Sequence, residues 1–248
     1  MLSGVINRNG MDRHIEVLPS FDALVDRSLE LVLDKLRDAI AQRDQATIAL
    51  SGGSTPTPLY EKLAAQDLPW DKLHIFWGDE RYVPPDHADS NYRMARLAWL
   101  DKVPIPAKNV HPMPTDEDDP AIAAQKHEAE LHAFFGTKPG EFPAFDVILL
   151  GIGDDAHTAS LFPHTDALKV SDRLITVGNK DGTPRITFTV PLINQARTNL
   201  FMVAGDSKQE ALSHIFAPDA DPMTYPSRLI QPQGELWWLL DHGAGKNL

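Results

Sequence analysis

The chain has 248 residues, a formal net charge of −12, 42% hydrophobic and 23% charged residues, and no cysteine. That length suits one large α/β domain or two small ones with a substantial core. The charge repels nucleic acid and anionic membranes and so favours a small-molecule ligand, while the lack of cysteine excludes disulfides, thiolate catalysis and cysteine metal sites.

The start, "MLSGVINRNGM", lacks the apolar core of a signal peptide. No apolar run reaches the roughly 18 residues of a membrane span. A cytoplasmic location is expected. Residues 1–10 are expected to form a flexible leader, with Met11 as an alternative start and residues 11–248 as a single domain.

"SFDALVDRSLELVLDKLRDAIAQRD" opens with a Ser20 N-cap and repeats Phe21, Leu24, Val25, Val32, Leu36 and Ile40 at helical spacing, which predicts a long amphipathic helix. "ATIALSGG" predicts a buried strand running into a glycine loop, and "TPLYEKLAA" a helix with proline in its first turn. "LHIFWGDER" reads as a strand ending in charge, "SNYRMARLAWL" as a helix capped by Ser90, and "DPAIAAQKHEAELHAFFG" as a helix ended by Gly136. "FDVILLGIG" is a buried strand, followed by a loop and a short helix cut off near Pro163. "RLITVG", "RITFTV", "TNLFMVAG" and "LWWLLD" predict further strands, with "SKQEALSHIF" as a helix between the last two. Strands that alternate with helices and are apolar at consecutive positions predict a three-layer, Rossmann-like α/β fold. Its sheet is mostly parallel, with helices on both faces.

Parallel sheets bind ligands beyond the carboxyl ends of their strands. Four polar loops follow strands directly: "SGGSTP", "GDERYVPP", "GIGDDAHTAS" and "AGDSK". In the first, Gly52 and Gly53 let backbone approach a ligand. Ser54 and Thr55 add hydroxyls ahead of a helix N-terminus, a combination that suits phosphate. In the second, Arg81 suits phosphate or an oxyanion. In the fourth, Lys208 stands in the first turn of a helix, where it opposes the helix dipole and so serves a ligand better than the helix.

The third loop carries G-x-G-x-x-A, a form of the dinucleotide fingerprint. Asp154 and Asp155 would repel the pyrophosphate that the fingerprint requires, and no acid ends a strand about 20 residues later. The same loop suits a general base: an aspartate two residues away fixes the tautomer of His157 and raises its basicity. Either Asp154 or Asp155 can be the orienting acid. His127 and His132 lie five apart on a helix and point about 140° away from each other, so they share no metal and read as surface residues. Neither a metal site nor a serine-nucleophile elbow is indicated.

"LSGGSTP", "GDERYVPPDHADSNYRM", "FDVILLGIGDDAHTASLFP", "PRITFTVPLIN", "GDSKQEAL" and "GELWWLLD" together resemble the 6-phosphogluconolactonase family, in order from about Ile15 to about Asp241. The resemblance implies hydrolysis of 6-phospho-D-glucono-1,5-lactone in the pentose phosphate pathway. It implies no cofactor or metal, and a fold shared with glucosamine-6-phosphate deaminases. It implies His157 as base, Asp155 as its orienting partner, Arg81 and Lys208 on anionic groups, and Gly52–Thr55 near phosphate. The partner would be the phosphorylated sugar lactone alone, handled by a monomer or weak homodimer. The family usually has glycine at the positions of Ala156 and His164, and an alanine held at positive φ carries strain. A deaminase or a non-catalytic sugar-phosphate binder on the same fold are the alternatives. The deaminases have Asp-Glu-Tyr where this chain has Asp79-Glu80-Arg81, and an acid where it reads "TASLFP".

Overall fold

A computed structural model describes residues 2–8 and 11–248, with side chains from Arg13 onward. In chain order its strands are β1 (Leu2–Arg8), β2 (Met11–Leu18), β3 (Ala46–Leu50), β4 (Leu73–Trp77), β5 (Asp79–Arg81), β6 (Val147–Leu150), β7 (Ile175–Lys180), β8 (Thr183–Phe188), β9 (Thr198–Val203) and β10 (Glu235–Asp241). The α-helices are α1 (Phe21–Arg43), α2 (Thr57–Ala64), α3 (Asn91–Ala98), α4 (Pro120–Phe135), α5 (Val190–Asn194), α6 (Gln209–Phe216) and α7 (His242–Gly245).

The larger sheet has the order β1-β2-β10-β9-β6-β3-β4. From β2 to β4 every neighbouring pair is parallel, and β1 adds an antiparallel edge. Leu2–Arg8 thus form a strand where the sequence suggests a leader. Hairpin pairing satisfies the backbone groups that β2 would otherwise expose at the sheet edge. The remainder of residues 1–10 lies outside the described residues.

Alternation along the strands divides the core. Ile48, Leu50, Ile75, Trp77, Val147 and Leu149 pack against α1, α2 and α3 on one face. Ala49, Phe76, Ile148, Leu150, Phe201 and Trp238 face α4, α6 and the second sheet on the other. Side chains of adjacent strand residues point to opposite faces, so a strand apolar at every position belongs between two helix layers. The caps follow local chemistry: Ser20 accepts from Ala23 N, Ser90 from Arg93 N and Asp119 from Ala121 N, while Gly136 ends α4 in the left-handed region.

Two sequence expectations change. "RLITVG" and "RITFTV" do form strands, but β7 and β8 pair as an antiparallel hairpin in a separate sheet of order β5-β8-β7. Asp181 and Gly182, both at positive φ, make the tight turn. The segment after β6 forms no helix, because Ala156, Ala159 and His164 all have positive φ, which helical backbone does not accommodate.

Gly78 joins the two sheets. Its N–H donates to Leu50 O of β3 at 2.9 Å and its carbonyl accepts from Phe188 N of β8 at 2.8 Å. Among the described residues, no helix is long and apolar enough to cross a membrane.

Candidate active site

The four loops meet at the carboxyl end of the larger sheet. They line a cavity of about 440 Å³ that brings together Gly52–Thr55, Arg81, His157 and Lys208.

Its base is a turn held by backbone. Gly153 N donates to His157 O and Ala156 N to Gly153 O, both at 3.0 Å. Ala156 is buried at φ 62, the strained geometry expected if the position were built for glycine. Its carbonyl accepts both Ser227 N at 3.0 Å and Ser227 Oγ at 2.7 Å, and these two bonds hold the unfavourable angle in place. Gly153 is required for a different reason: a Cβ there would lie 2.1 Å from His157 Nδ1.

Asp155 is the carboxylate that meets the histidine. Its Oδ1 lies 2.6 Å from His157 Nδ1 and also accepts His157 N at 3.0 Å. Burial works against the Asp155 charge, but the hydrogen bonds from the His157 ring and backbone outweigh it and hold the pKa below the usual carboxylate value. With Nδ1 donating to Asp155, Nε2 is the ring atom left to accept a proton. The ring rests against Phe162, with centroids 4.4 Å apart. Asp154 turns the other way and pairs with Lys208 Nζ at 2.6 Å.

The glycine loop leads into α2, whose N-terminus has no side-chain cap and leaves backbone N–H groups directed outward. Gly52 is small because Asn91 fills the space beside it: an added Cβ would fall 2.0 Å from Asn91 Oδ1. Gly53 supplies the turn, at φ 91.

Arg81 and Arg185 face each other across the β5–β8 ladder. Both line the cavity, and among the described residues neither forms an ion pair. Arg81 Nη1 donates to Asp89 O at 2.9 Å, and its Nε is buried without a hydrogen-bond partner. Burial pulls the Arg185 pKa below its ordinary value, partly offset by Asp79, while Arg81 lowers it further. Opposed like charges on a ladder are unfavourable unless an anion lies between or beside them. Glu80 is buried and accepts Arg81 N, Asn91 N and Tyr92 N at 2.8 Å each. It thereby anchors β5 to the start of α3. Burial raises its pKa against the pull of those three bonds.

Of the residues singled out in the sequence, Gly52–Thr55, Arg81, His157 and Lys208 line one cavity, while Asp154 and Asp155 stand behind it, each bonded to one of its lining residues. Arg185 was not among those singled out, since only the β5–β8 register reveals it. Lys208 closes a 3-10 turn, Asp206–Lys208, and is the N-cap of α6 rather than a first-turn residue. His127, expected on the surface, is fully buried, with Nδ1 3.2 Å from Glu130 Oε2. It faces the sheet because that side of α4 carries Ala123, Ala124 and Leu131 into the core.

A model of glucosamine-6-phosphate isomerases/6-phosphogluconolactonase matches residues 19–238. The chain belongs to this family. A 6-phosphogluconolactonase of Nostoc sp. is 65% identical over 96% of this chain and 99% of its own length. One of Mycobacterium tuberculosis is 37% identical over 96% and 99%. Among solved structures of the family, a 6-phosphogluconolactonase from Trypanosoma cruzi superimposes with TM-score 0.84 at 30% identity, covering 94% of this chain and 96% of its own. One from Thermotoga maritima gives 0.81 at 31%, covering 93% and 100%.

Proposed function

We propose that this protein hydrolyses 6-phospho-D-glucono-1,5-lactone to 6-phosphogluconate in the oxidative pentose phosphate pathway. The observation that carries the reading is the Asp155–His157 pair, whose histidine lines one cavity with the Gly52–Thr55 loop and three cationic side chains. The family relationship, with 65% identity to a 6-phosphogluconolactonase, supports the same substrate.

A lactone is an activated ester. His157 Nε2 takes a proton from water as the water oxygen bonds to the lactone carbonyl carbon. Asp155 orients the ring and stabilises the imidazolium formed. The tetrahedral oxyanion is stabilised by a donor of the cavity, for which Arg81 is best suited because its Nε is buried and unpartnered. The carbon–ring-oxygen bond then breaks, and the imidazolium returns the proton to the departing alkoxide. Arg185, Lys208 and the backbone N–H groups of Gly52–Thr55 take the phosphate. The chemistry asks for no metal or cofactor. The reading includes a cytoplasmic enzyme acting as a monomer or weak homodimer.

The test is incubation of purified protein with freshly made 6-phosphogluconolactone, following the product with 6-phosphogluconate dehydrogenase. Acceleration well above spontaneous hydrolysis is expected. Ammonia release from glucosamine 6-phosphate without lactone turnover would instead establish a deaminase.

A further inference from the structure

Three cations line the cavity, and they are not equivalent. Arg81 and Arg185 form no ion pair among the described residues, whereas Lys208 is bound at 2.6 Å to Asp154, a carboxylate outside the cavity lining. We infer that Asp154 competes with the phosphate of the substrate for Lys208 and so sets how strongly the cavity holds phosphorylated ligands. The inference rests on the phosphosugar-lactone reading of this cavity and names a residue that tunes its affinity.

The placement of the pair supports competition. Lys208 is the N-cap of α6, where the helix dipole disfavours a cation. Asp154 offsets that cost, and a phosphate, with more charge and three acceptor oxygens, offsets it better. The two side chains also differ in confinement: Lys208 is 23% exposed and Asp154 73%. The lysine is therefore held at the cavity wall, while rotation of one solvated carboxylate releases it. An exposed ion pair of this kind is weak, so a phosphate can displace the acid. Asp154 directly precedes the acid that orients His157, yet among the described residues it makes no hydrogen bond to that histidine; the dyad uses Asp155. A carboxylate left beside the bound phosphate further opposes it, which favours release of a product that keeps the phosphate.

The experiment measures dissociation constants for inorganic phosphate by calorimetry on wild type, Asp154→Asn, Lys208→Ala and the double variant. In parallel it measures kcat/KM for phosphorylated and unphosphorylated gluconolactone. Asp154→Asn is expected to tighten phosphate about two- to fivefold, the scale of an exposed ion pair, and to raise the preference for the phosphorylated lactone by a similar factor. In the Lys208→Ala background that gain should shrink to well under twofold. Weaker phosphate binding in Asp154→Asn would make Asp154 a support for Lys208 and overturn the inference. So would an equal gain with and without Lys208, which would signify only the change in overall charge, and so would the absence of saturable phosphate binding by wild type. Phosphate titration reads the pair whether or not the protein turns over lactone. A failed lactonase assay with the expected phosphate cycle would therefore sink the proposed reaction and leave the competition standing.

Discussion

The two ends of the larger sheet are both rich in charge and treat it in opposite ways. At the amino end Asp146, just before β6, accepts Thr47 N at 2.8 Å, Thr47 Oγ1 at 3.0 Å, Arg43 Nη2 at 2.7 Å and Arg197 Nε at 3.2 Å. Nearby, His74 Nδ1 meets His111 Nε2 at 3.2 Å, and Glu130 bridges His111 at 2.9 Å and His127 at 3.2 Å. Apart from the buried Nε2 of His127, which has no hydrogen-bond partner, these groups satisfy one another. At the carboxyl end two arginines oppose each other with no ion pair among the described residues, an alanine sits at positive φ, and a histidine presents a free nitrogen. Charge that is internally balanced stabilises the fold; charge left unbalanced in a cavity is available for a ligand.

The sharpest way to break this comparison is His157→Ala, expected to lower kcat by about 10²–10⁴-fold with little change in KM or melting temperature. Retention of near wild-type kcat would remove His157 as the base. Asp146→Ala should do the reverse. Urea unfolding should reveal a loss of about 3 kcal/mol, because a buried acceptor of four donors disappears, with kcat per folded molecule unchanged. Arg185→Ala should lower kcat/KM for the phosphorylated lactone by about tenfold or more, the scale of a charge-assisted hydrogen bond. Stability should be unchanged or higher, since Arg81 loses a like-charged neighbour. A marked loss of stability would place Arg185 with the balanced group.

Acidification gives the smallest effect, and the share of the amino end in it comes from His74 and Glu130. Burial, with His111 and Lys108 nearby, lowers the His74 pKa from 6.5 to about 4. The folded state thus binds fewer protons than the unfolded state between those values, and stability falls as pH drops from about 6.5 to 4. Burial opposes the Glu130 charge, but hydrogen bonds from His111 and His127 prevail and bring its pKa from 4.5 to about 2. Its contribution is complete above 4.5 and is lost as pH falls toward 2. His74 is partly exposed, so after screening its share is only about 1–2 kcal/mol. Unfolding curves should show His74→Phe flattening the upper part of the profile and leaving the lower part.

Much of this was legible in the sequence. The apolar runs of β3, β4, β6, β9 and β10 stand on consecutive positions, and the polar loops after β3, β4, β6 and β9 name most of the site. β2 escaped notice because Arg13–Leu18 mixes charged and apolar residues beside a segment that resembles a leader. The Asp181–Gly182 turn carried a hairpin signal that, given its due weight, would have paired β7 with β8. Arg185 was hidden because its role depends on a cross-strand register with Arg81. His127 was misjudged because helical spacing alone does not say which side of α4 meets the sheet. The choice between Asp154 and Asp155 depended on side-chain direction in an irregular turn, which spacing leaves open.

Gly78 has a consequence for motion. The phosphate loop and His157 extend from the larger sheet, while Arg81 and Arg185 belong to the smaller one. Gly78, through its N–H to Leu50 and its carbonyl to Phe188, ties the backbones of the two together. The width of the cavity therefore depends on this joint together with Ser160 of the His157 loop, whose N donates to Thr187 Oγ1 at 3.2 Å and whose Oγ donates to Asp79 Oδ2 at 2.6 Å. Slow deuterium uptake at the Gly78 amide, comparable to the central strands, is expected if the halves move as one body. Rapid uptake there would mean that the arginine pair swings against the phosphate loop.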